Sequence, residues 1–452
     1  MPLPLPVEAL HGLAAILIPM LLMGVFKRSA VEAAAATLAY LLAAYYSLSK
    51  IWEAATYMAE GARIGLLISA VVLASIYFYY VYRDLGFEDE LAEELKGAAE
   101  LKLALATFFA GFIEGVSGFG IPVAVVAPLL YATGVPAETA VAAVLVGHVW
   151  AVPFASMGVP TAVLSEFTGL PLFQLAASTG VYMSFSLAAA VIIVARMLDA
   201  HPIRTVIYSL MSFIIVPISL ALGPITGSAA GITLFTVSLL EAAGIEGAAT
   251  ILSKLKPYLL LTVVLASAYY LGVRGLAYTA LLVAATGAAV QAAARRGGAR
   301  PAVDALSKAW RPSLAIILFA AAAQMAGKGG FMLSLAQQAA LVMGQWYTYL
   351  VPAIGALGAY FTGSNTTSNV VFAVLQDSYA RLLGHYRIRI LALQNTGGGI
   401  GSMSSPSKIA VGASTTGGEE IEAPVFERVA KALPIVLAPQ IVIALLLPLL
   451  GE

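Results

Sequence analysis

All three asparagines of this chain, Asn365, Asn369 and Asn395, fall within one polar, glycine-rich stretch at residues 357–413, between long apolar segments. It reads LGAYFTGSNTTSNVVFAVLQ and then LALQNTGGGIGSMSSPSKIAVGA. Ser364, Asn365, Thr366, Thr367 and Asn369 offer neutral hydroxyl and amide donors, which can hydrogen-bond a carboxylate and a hydroxyl beside it. Asn395, Thr396, Ser402, Ser404 and Ser405 offer a second set, and Gly397 permits close approach to the backbone. Neutral donors suit a site that must release what it binds better than a bidentate arginine does. Scattered singly, serine and threonine cap helices and asparagine joins them. It is the clustering that marks a site.

A sparser counterpart lies at FIEGVSGFGIP, residues 112–122, with Ser117, Gly118 and Gly120. Glycines and a proline in an apolar run free backbone groups that need partners, so such breaks occur beside cavities rather than lipid. A helix broken in this way presents unpaired N–H groups and the positive end of its dipole, which bind an anion without a permanent charge. Four ionisable residues in or near the breaks, Glu114, His148, Lys408 and Asp377, are the candidates for proton or ion coupling, because charge inside a membrane is costly. His148 titrates near neutral pH in its unperturbed state. Lys408 is placed to attract an anion or to pair with Glu114, and Asp377 is spaced to pair with Arg381.

The elements that position these residues are membrane helices. Sixty per cent of the 452 residues are hydrophobic and 11% are charged, against about a quarter charged in soluble domains. The fold class is therefore an all-α polytopic membrane protein, with about 12–14 transmembrane helices of roughly 20 residues each in a single domain over residues 1–452. The lipid bilayer is its solvent, and the cell membrane its location. A net charge of zero without a basic tail excludes nucleic acid as partner. The absence of cysteine removes disulfides, thiolate metal sites and cysteine nucleophiles, and four scattered histidines form no metal cluster. No cofactor is expected, and no motif specifies an oligomeric state.

Residues 7–26 form a first span that ends at Lys27 and Arg28, in the order of a retained helix rather than a signal peptide. The positive-inside rule puts Lys27 in the cytoplasm. Residues 29–48 return, and residues 64–82 come back to an aromatic belt. Residues 87–102 read as an amphipathic surface helix. After the break at 112–122, a second interruption, VLVGHVWAVPFASMGVP, holds His148 and Ser156. Residues 171–197, 203–222, 225–240 and 257–272 read as further spans, with GPITGSAAG at 223–231 as close helix packing in preference to a helix break, and Glu241 and Glu246 in a loop near Lys254 and Lys256. Residues 295–311 are the clearest cytoplasmic loop. A charged connector at 416–431 precedes the last span, 433–450. The sub-parts are thus 1–100 with the surface helix, 101–294, the loop 295–311, and 312–452.

When Gly115 is set against Gly363, residues 117–120 fall on 365–368, Gly147 and His148 on Asn395 and Thr396, and Ser156 on Ser404. Only the pattern repeats, a broken helix followed by a broken helix. Interrupted segments in corresponding positions of two halves are the signature of inverted repeats with a site at the midplane.

Four motifs taken together, EGVSGFGIPVAV at 114–125, KPYLLLTVV at 256–264, FTGSNTTSN at 361–369 and NTGGGIGSMSSPSKIAV at 395–411, resemble the L-lactate permease family of short-chain monocarboxylate transporters. The resemblance covers roughly residues 5–450 and includes the order of the motifs. It implies a secondary active transporter, not an enzyme, with a small monocarboxylate such as L-lactate or glycolate as substrate, a proton as coupling ion, and two repeats of broken or re-entrant helices. The sequence departs from that family where Asn365 replaces an aspartate, Gly147 and His148 replace an Asn-Thr pair, and Ser405, Pro406, Ser407 and Lys408 replace Ser-Pro-Gln-Ser. One carboxylate is lost while an imidazole and an amine are gained. Two alternatives stand beside this reading. Ser364, Asn365 and Thr366 resemble the Ser-Asn-Thr motif of sodium-dependent dicarboxylate carriers, which makes Na+ the competing coupling ion. Gly115, Ser117 and Gly118 match the Gly-x-Ser-Gly of rhomboid-type intramembrane serine proteases, with His148 as base.

Overall fold

A computed structural model describes residues 5–95, 101–118, 120–295, 297–384 and 386–447. The described residues are helical throughout, with no strand. Seven helical segments are long and apolar enough to cross a membrane, and the bent pair Ala137–Gly147 and Val149–Thr168 makes an eighth. The glycine-rich segments do not qualify as spans by length and composition, because each is interrupted near its middle.

The first three helices, Val7–Gly24, Ala30–Ser47 and Ile51–Asp84, match the expected ends closely, although the third starts well before residue 64. A capping box closes the turn after Lys27 and Arg28, with Ser29 accepting from the Glu32 N–H and Glu32 accepting from the Ser29 N–H. The basic segment expected to be loop up to residue 311 is largely helix, since Arg300–Lys328 begins within it. This helix runs antiparallel to Ile51–Asp84: Lys328 pairs with Glu60 at one end, and Ser69 Oγ donates to Ser313 O at 3.2 Å nearer the other. Small residues allow the approach, because a Cβ on Gly61 or Gly65 would strike the backbone at Ala320 or Ile317.

Two hairpins and two broken helices complete the interior. In the first hairpin, residues 102–116 lead to a tip that holds Ser117, Gly118 and Gly120, and Ile121–Ala132 folds back. Phe109 and Ile113 on one limb and Ala124 and Pro128 on the other line a common pocket, which fixes the limbs side by side. Gly118 (φ 64°) and Gly120 (φ 80°) supply the left-handed conformations that reverse the chain. In the second hairpin, Trp346–Thr362 turns at Gly363 (φ 71°) into Asn365–Leu382. Thr348 and Tyr379 hydrogen-bond across its open end, and Ser368 Oγ donates to Gly355 O nearer the tip.

The first broken helix joins Ala137–Gly147 to Ala155–Thr168 through the 3-10 turn Val149–Phe154, with Ser156 and Met157 in left-handed conformation. Ser156 Oγ donates to Ser117 O at 2.9 Å and ties this kink to the first hairpin tip. The second joins Arg387–Gly401 to Pro406–Thr416 through Ser402–Ser404. Proline at the first helical position, behind Ser405, restarts the helix.

Three readings of the sequence change. GPITGSAAG combines a break with packing: Gly223 (φ 54°) opens a 3-10 turn, while Gly227 lies against the Gly115 backbone. Glu241 and Glu246 lie within helix Thr226–Lys254, kinked at Gly244, and Glu241 pairs with Arg204 at 2.8 Å. Lys254 pairs with Glu90 instead. The charged connector is short, because helix Glu422–Leu446 takes in most of it.

Candidate functional site

A cavity of about 300 Å³ opens between the tip of the second hairpin and the start of Pro406–Thr416, and Gly120, Arg311, Ser364, Thr367, Ser407 and Lys408 contribute to its wall. Three helices begin at it, Ile121–Ala132, Asn365–Leu382 and Pro406–Thr416, so three positive dipole ends converge on one space. Ser364 caps the second of these by accepting from the Thr367 N–H at 3.2 Å. Ser29 lines the mouth together with Arg311, which places the opening on the face that carries Lys27 and Arg28, the cytoplasmic face by the positive-inside rule.

Lys408 forms the floor. Its Nζ donates to Ser402 Oγ at 3.1 Å and lies 3.7 Å from Glu114 Oε1, with both side chains almost fully buried. On the far side of Glu114, Oε2 faces His148 Nε2 at 4.0 Å. The other ring nitrogen, Nδ1, lies 2.6 Å from Val144 O, which makes Nδ1 a donor and turns Nε2 toward Glu114. Glu114, His148 and Lys408 thus come from the first hairpin, the first broken helix and the second broken helix and meet in one buried cluster. Arg311, by contrast, is exposed at the mouth and packs over the Trp310 ring at 5.1 Å.

The asparagines assemble behind the cavity instead of lining it. Asn395 Oδ1 accepts from Asn365 Nδ2 at 3.0 Å and Asn369 Nδ2 at 2.8 Å, while its own Nδ2 donates to Thr161 Oγ1 and Thr179 Oγ1. Every hydrogen-bonding position of Asn395 is therefore occupied by the protein. Gln376, Gln394 and Ser368 extend the network, and Thr396 donates to Gln440 Oε1 at 2.8 Å. Gly397 backs onto the Pro352 carbonyl, where a Cβ would collide, so its place is in helix packing.

Of the remaining predicted residues, Thr366 is buried in the first turn of Asn365–Leu382, Gly118 lies against Ser156, and Ser404 Oγ donates to Gly401 O. Ser405 and Ser407 share a hydrogen bond of 2.9 Å beside the Gly363 turn. Asp377 stands apart from the other three ionisable residues, about 18 Å along its helix from Asn365. It pairs with Arg381 Nε at 2.9 Å and with Arg387 Nη2 at 3.0 Å, and Arg387 also donates to Thr168 O at the end of the first broken helix. The serine-protease arrangement is not formed: Ser117 Oγ donates to Ile113 O at 2.7 Å, and His148 is engaged by Val144 and Glu114.

The sequence reading missed Arg311, Ser407 and the partners Thr161, Thr179, Gln394 and Gln440. Arg311 was hidden by its place at the end of a basic run, which reads as topology signal. Ser407 stood inside a quoted motif.

Comparison with known proteins decides what this arrangement belongs to. The L-lactate permease family profile matches residues 8–229 and 264–450. The chain belongs to the L-lactate permease family. It is 24% identical over 457 residues to the L-lactate permease of Bacillus subtilis (strain 168), covering 79% of this chain and 81% of the other. Its likeness to the L-lactate permease of Halalkalibacterium halodurans is 23% over 482 residues and covers 91% of each. A shorter likeness, 36% over 74 residues, links 16% of this chain to 13% of the glycolate permease of Escherichia coli (strain K12). Family membership and the apolar helices together make the protein a multi-pass integral membrane protein of the cell membrane.

Proposed function

We propose that this protein is a secondary active transporter of L-lactate and close 2-hydroxymonocarboxylates such as glycolate, coupled to an inward-moving proton. The observation that carries this reading is the cavity at the hairpin tip, walled by Ser364, Thr367, Ser407 and Lys408 and open toward Arg311. Lys408 is matched by Glu114, so Arg311 is the cation of this wall with no carboxylate in ion-pair range among the described residues, which suits a monoanion. The hydroxyls of Ser364, Thr367 and Ser407 suit the 2-hydroxyl. Protonation of Glu114 frees Lys408 to meet the substrate carboxylate, and loss of that proton returns Lys408 to Glu114 and releases the substrate.

The two hairpins and two broken helices serve alternating access. The first hairpin has its open end near Tyr79 and Tyr82 at the cytoplasmic end of their helix, and the second has its open end on the opposite side. The halves are read as inverted repeats whose breaks meet at the midplane. With the cavity open on the cytoplasmic face, the Asp377, Arg387 and Thr168 cluster holds the outer ends of three elements together.

Proteoliposomes with an inward proton gradient should accumulate labelled L-lactate, and a protonophore should abolish accumulation. Uptake no greater than in empty vesicles would sink the reading. A sodium-coupled form is the second reading, favoured by the buried Asn365 Oδ1 and Asn369 Oδ1, neither of which has a hydrogen-bond donor among the described residues. Replacing sodium with choline at fixed pH separates the two.

A further inference from the structure

Glu114 Oε2 and His148 Nε2 face each other at 4.0 Å, both buried and both without a hydrogen-bond partner among the described residues. The Val144 carbonyl holds the ring proton on Nδ1, so Nε2 presents a lone pair toward a carboxylate oxygen. Two desolvated acceptors aimed at one another are a costly arrangement. They become hydrogen-bonded partners on taking up one proton and closing by about 1 Å to an ordinary hydrogen-bond length.

We infer that Glu114 and His148 are one proton site, holding a single proton between Oε2 and Nε2, and that its occupancy decides whether Lys408 is neutralised or shows its charge to the cavity. This rests on the proton-symport reading and goes beyond it by making the carrier a pair. Among the described residues, the charged group facing the pair is Lys408, on the other oxygen of Glu114, and the polar contact of His148 Nδ1 is the Val144 carbonyl on its own helix. The balance follows directly. With the pair unprotonated, Glu114 carries one negative charge, His148 none and Lys408 one positive charge. With one proton bound on Glu114 Oε2 and donated to His148 Nε2, the pair is neutral and the Lys408 charge stands alone beside the cavity. One proton in therefore creates a place for one monocarboxylate, and transport is electroneutral. The proton leaves to water when the substrate does.

Infrared difference spectroscopy of the reconstituted protein tests the pair. A carboxyl band should appear as pH falls and be missing in Glu114→Gln, which assigns it. In His148→Gln the amide can donate to the Glu114 carboxylate and hold it ionised, so the band midpoint should move down by about one pH unit, a tenfold loss of proton affinity. His148→Asn, with a shorter amide, is the second variant. A midpoint unmoved in both variants overturns the shared site. In the unmutated protein, L-lactate binding should take up about one proton per substrate, read with a pH dye, and no proton uptake overturns the switch. The symport reading has its own arm, since L-lactate uptake indifferent to the proton gradient removes symport whatever the band does.

Discussion

Lys408 Nζ lies 3.7 Å from Glu114 Oε1, and this contact joins the second broken helix to the limb of the first hairpin. The two halves of the chain thus share a buried ion pair at the wall of the cavity. A buried pair contributes little net stability but is costly to break from one side, because the remaining charge is left without a partner. That property suits a switch: the pair must open for Lys408 to meet an anion, and it opens at low cost only when Glu114 is neutral.

The first prediction concerns this pair. Lys408→Met should cost about 3 kcal/mol of stability and abolish L-lactate binding. Adding Glu114→Gln should restore most of the lost thermal stability in detergent without restoring binding. Equal melting temperatures for the single and double variants would show that the two side chains do not depend on each other.

Asn395 tests the division between scaffold and site. With four protein partners for one amide, Asn395→Ala removes one bond each from Asn365, Asn369, Thr161 and Thr179, of which Asn365, Asn369 and Thr161 keep a second partner, so the loss is about 0.5–1.5 kcal/mol per bond. The expected outcome is a lowered melting temperature with loss of folded protein. A stable variant with weakened substrate affinity alone would move Asn395 from the scaffold to the ligand wall.

The asparagine clustering marked a polar centre, and in the structure its amides hydrogen-bond one another. Amides and hydroxyls in an apolar run announce a polar centre, yet sequence cannot say whether they bind one another or a ligand. That depends on how Thr161 and Thr179, far away in the chain, pack against Asn395. Periodicity and basic residues placed the first helices well, because lipid imposes length and the positive-inside rule imposes direction. The hairpins were legible only as breaks. Whether a broken helix continues or turns back is settled by packing such as that which brings Phe109 and Pro128 to one pocket, and by left-handed glycines whose φ the sequence does not print. The meeting of His148, Glu114 and Lys408 was likewise half visible. Pairing with Glu114 was one of two roles open to Lys408 from the sequence, whereas His148 joining them required the cap of Ala137–Gly147 to lie against the first hairpin.

Arg311 provides the third prediction. It lines the cavity mouth, among the described residues no carboxylate lies in ion-pair range of it, and in the proposed function it draws a monoanion inward. Arg311→Gln should raise the KM for L-lactate about tenfold, equivalent to about 1.4 kcal/mol, with little change in maximal rate, while Arg311→Lys retains most of the affinity. The difference between Arg and Gln should shrink in high salt, as expected for an exposed charge. Uptake kinetics with unchanged KM in Arg311→Gln would remove it from the path.

Occupation of the cavity by a short carboxylate is the central claim, and the absence of cysteine from the chain permits a direct test. Ser407 is exposed on the cavity wall, so in a Ser407→Cys protein that retains uptake a membrane-impermeant maleimide should label the thiol from the cytoplasmic side. Saturating L-lactate should slow that labelling severalfold, while a neutral compound of similar size leaves it unchanged. A labelling rate indifferent to L-lactate would contradict the placement of the substrate between the hairpin tip and Lys408.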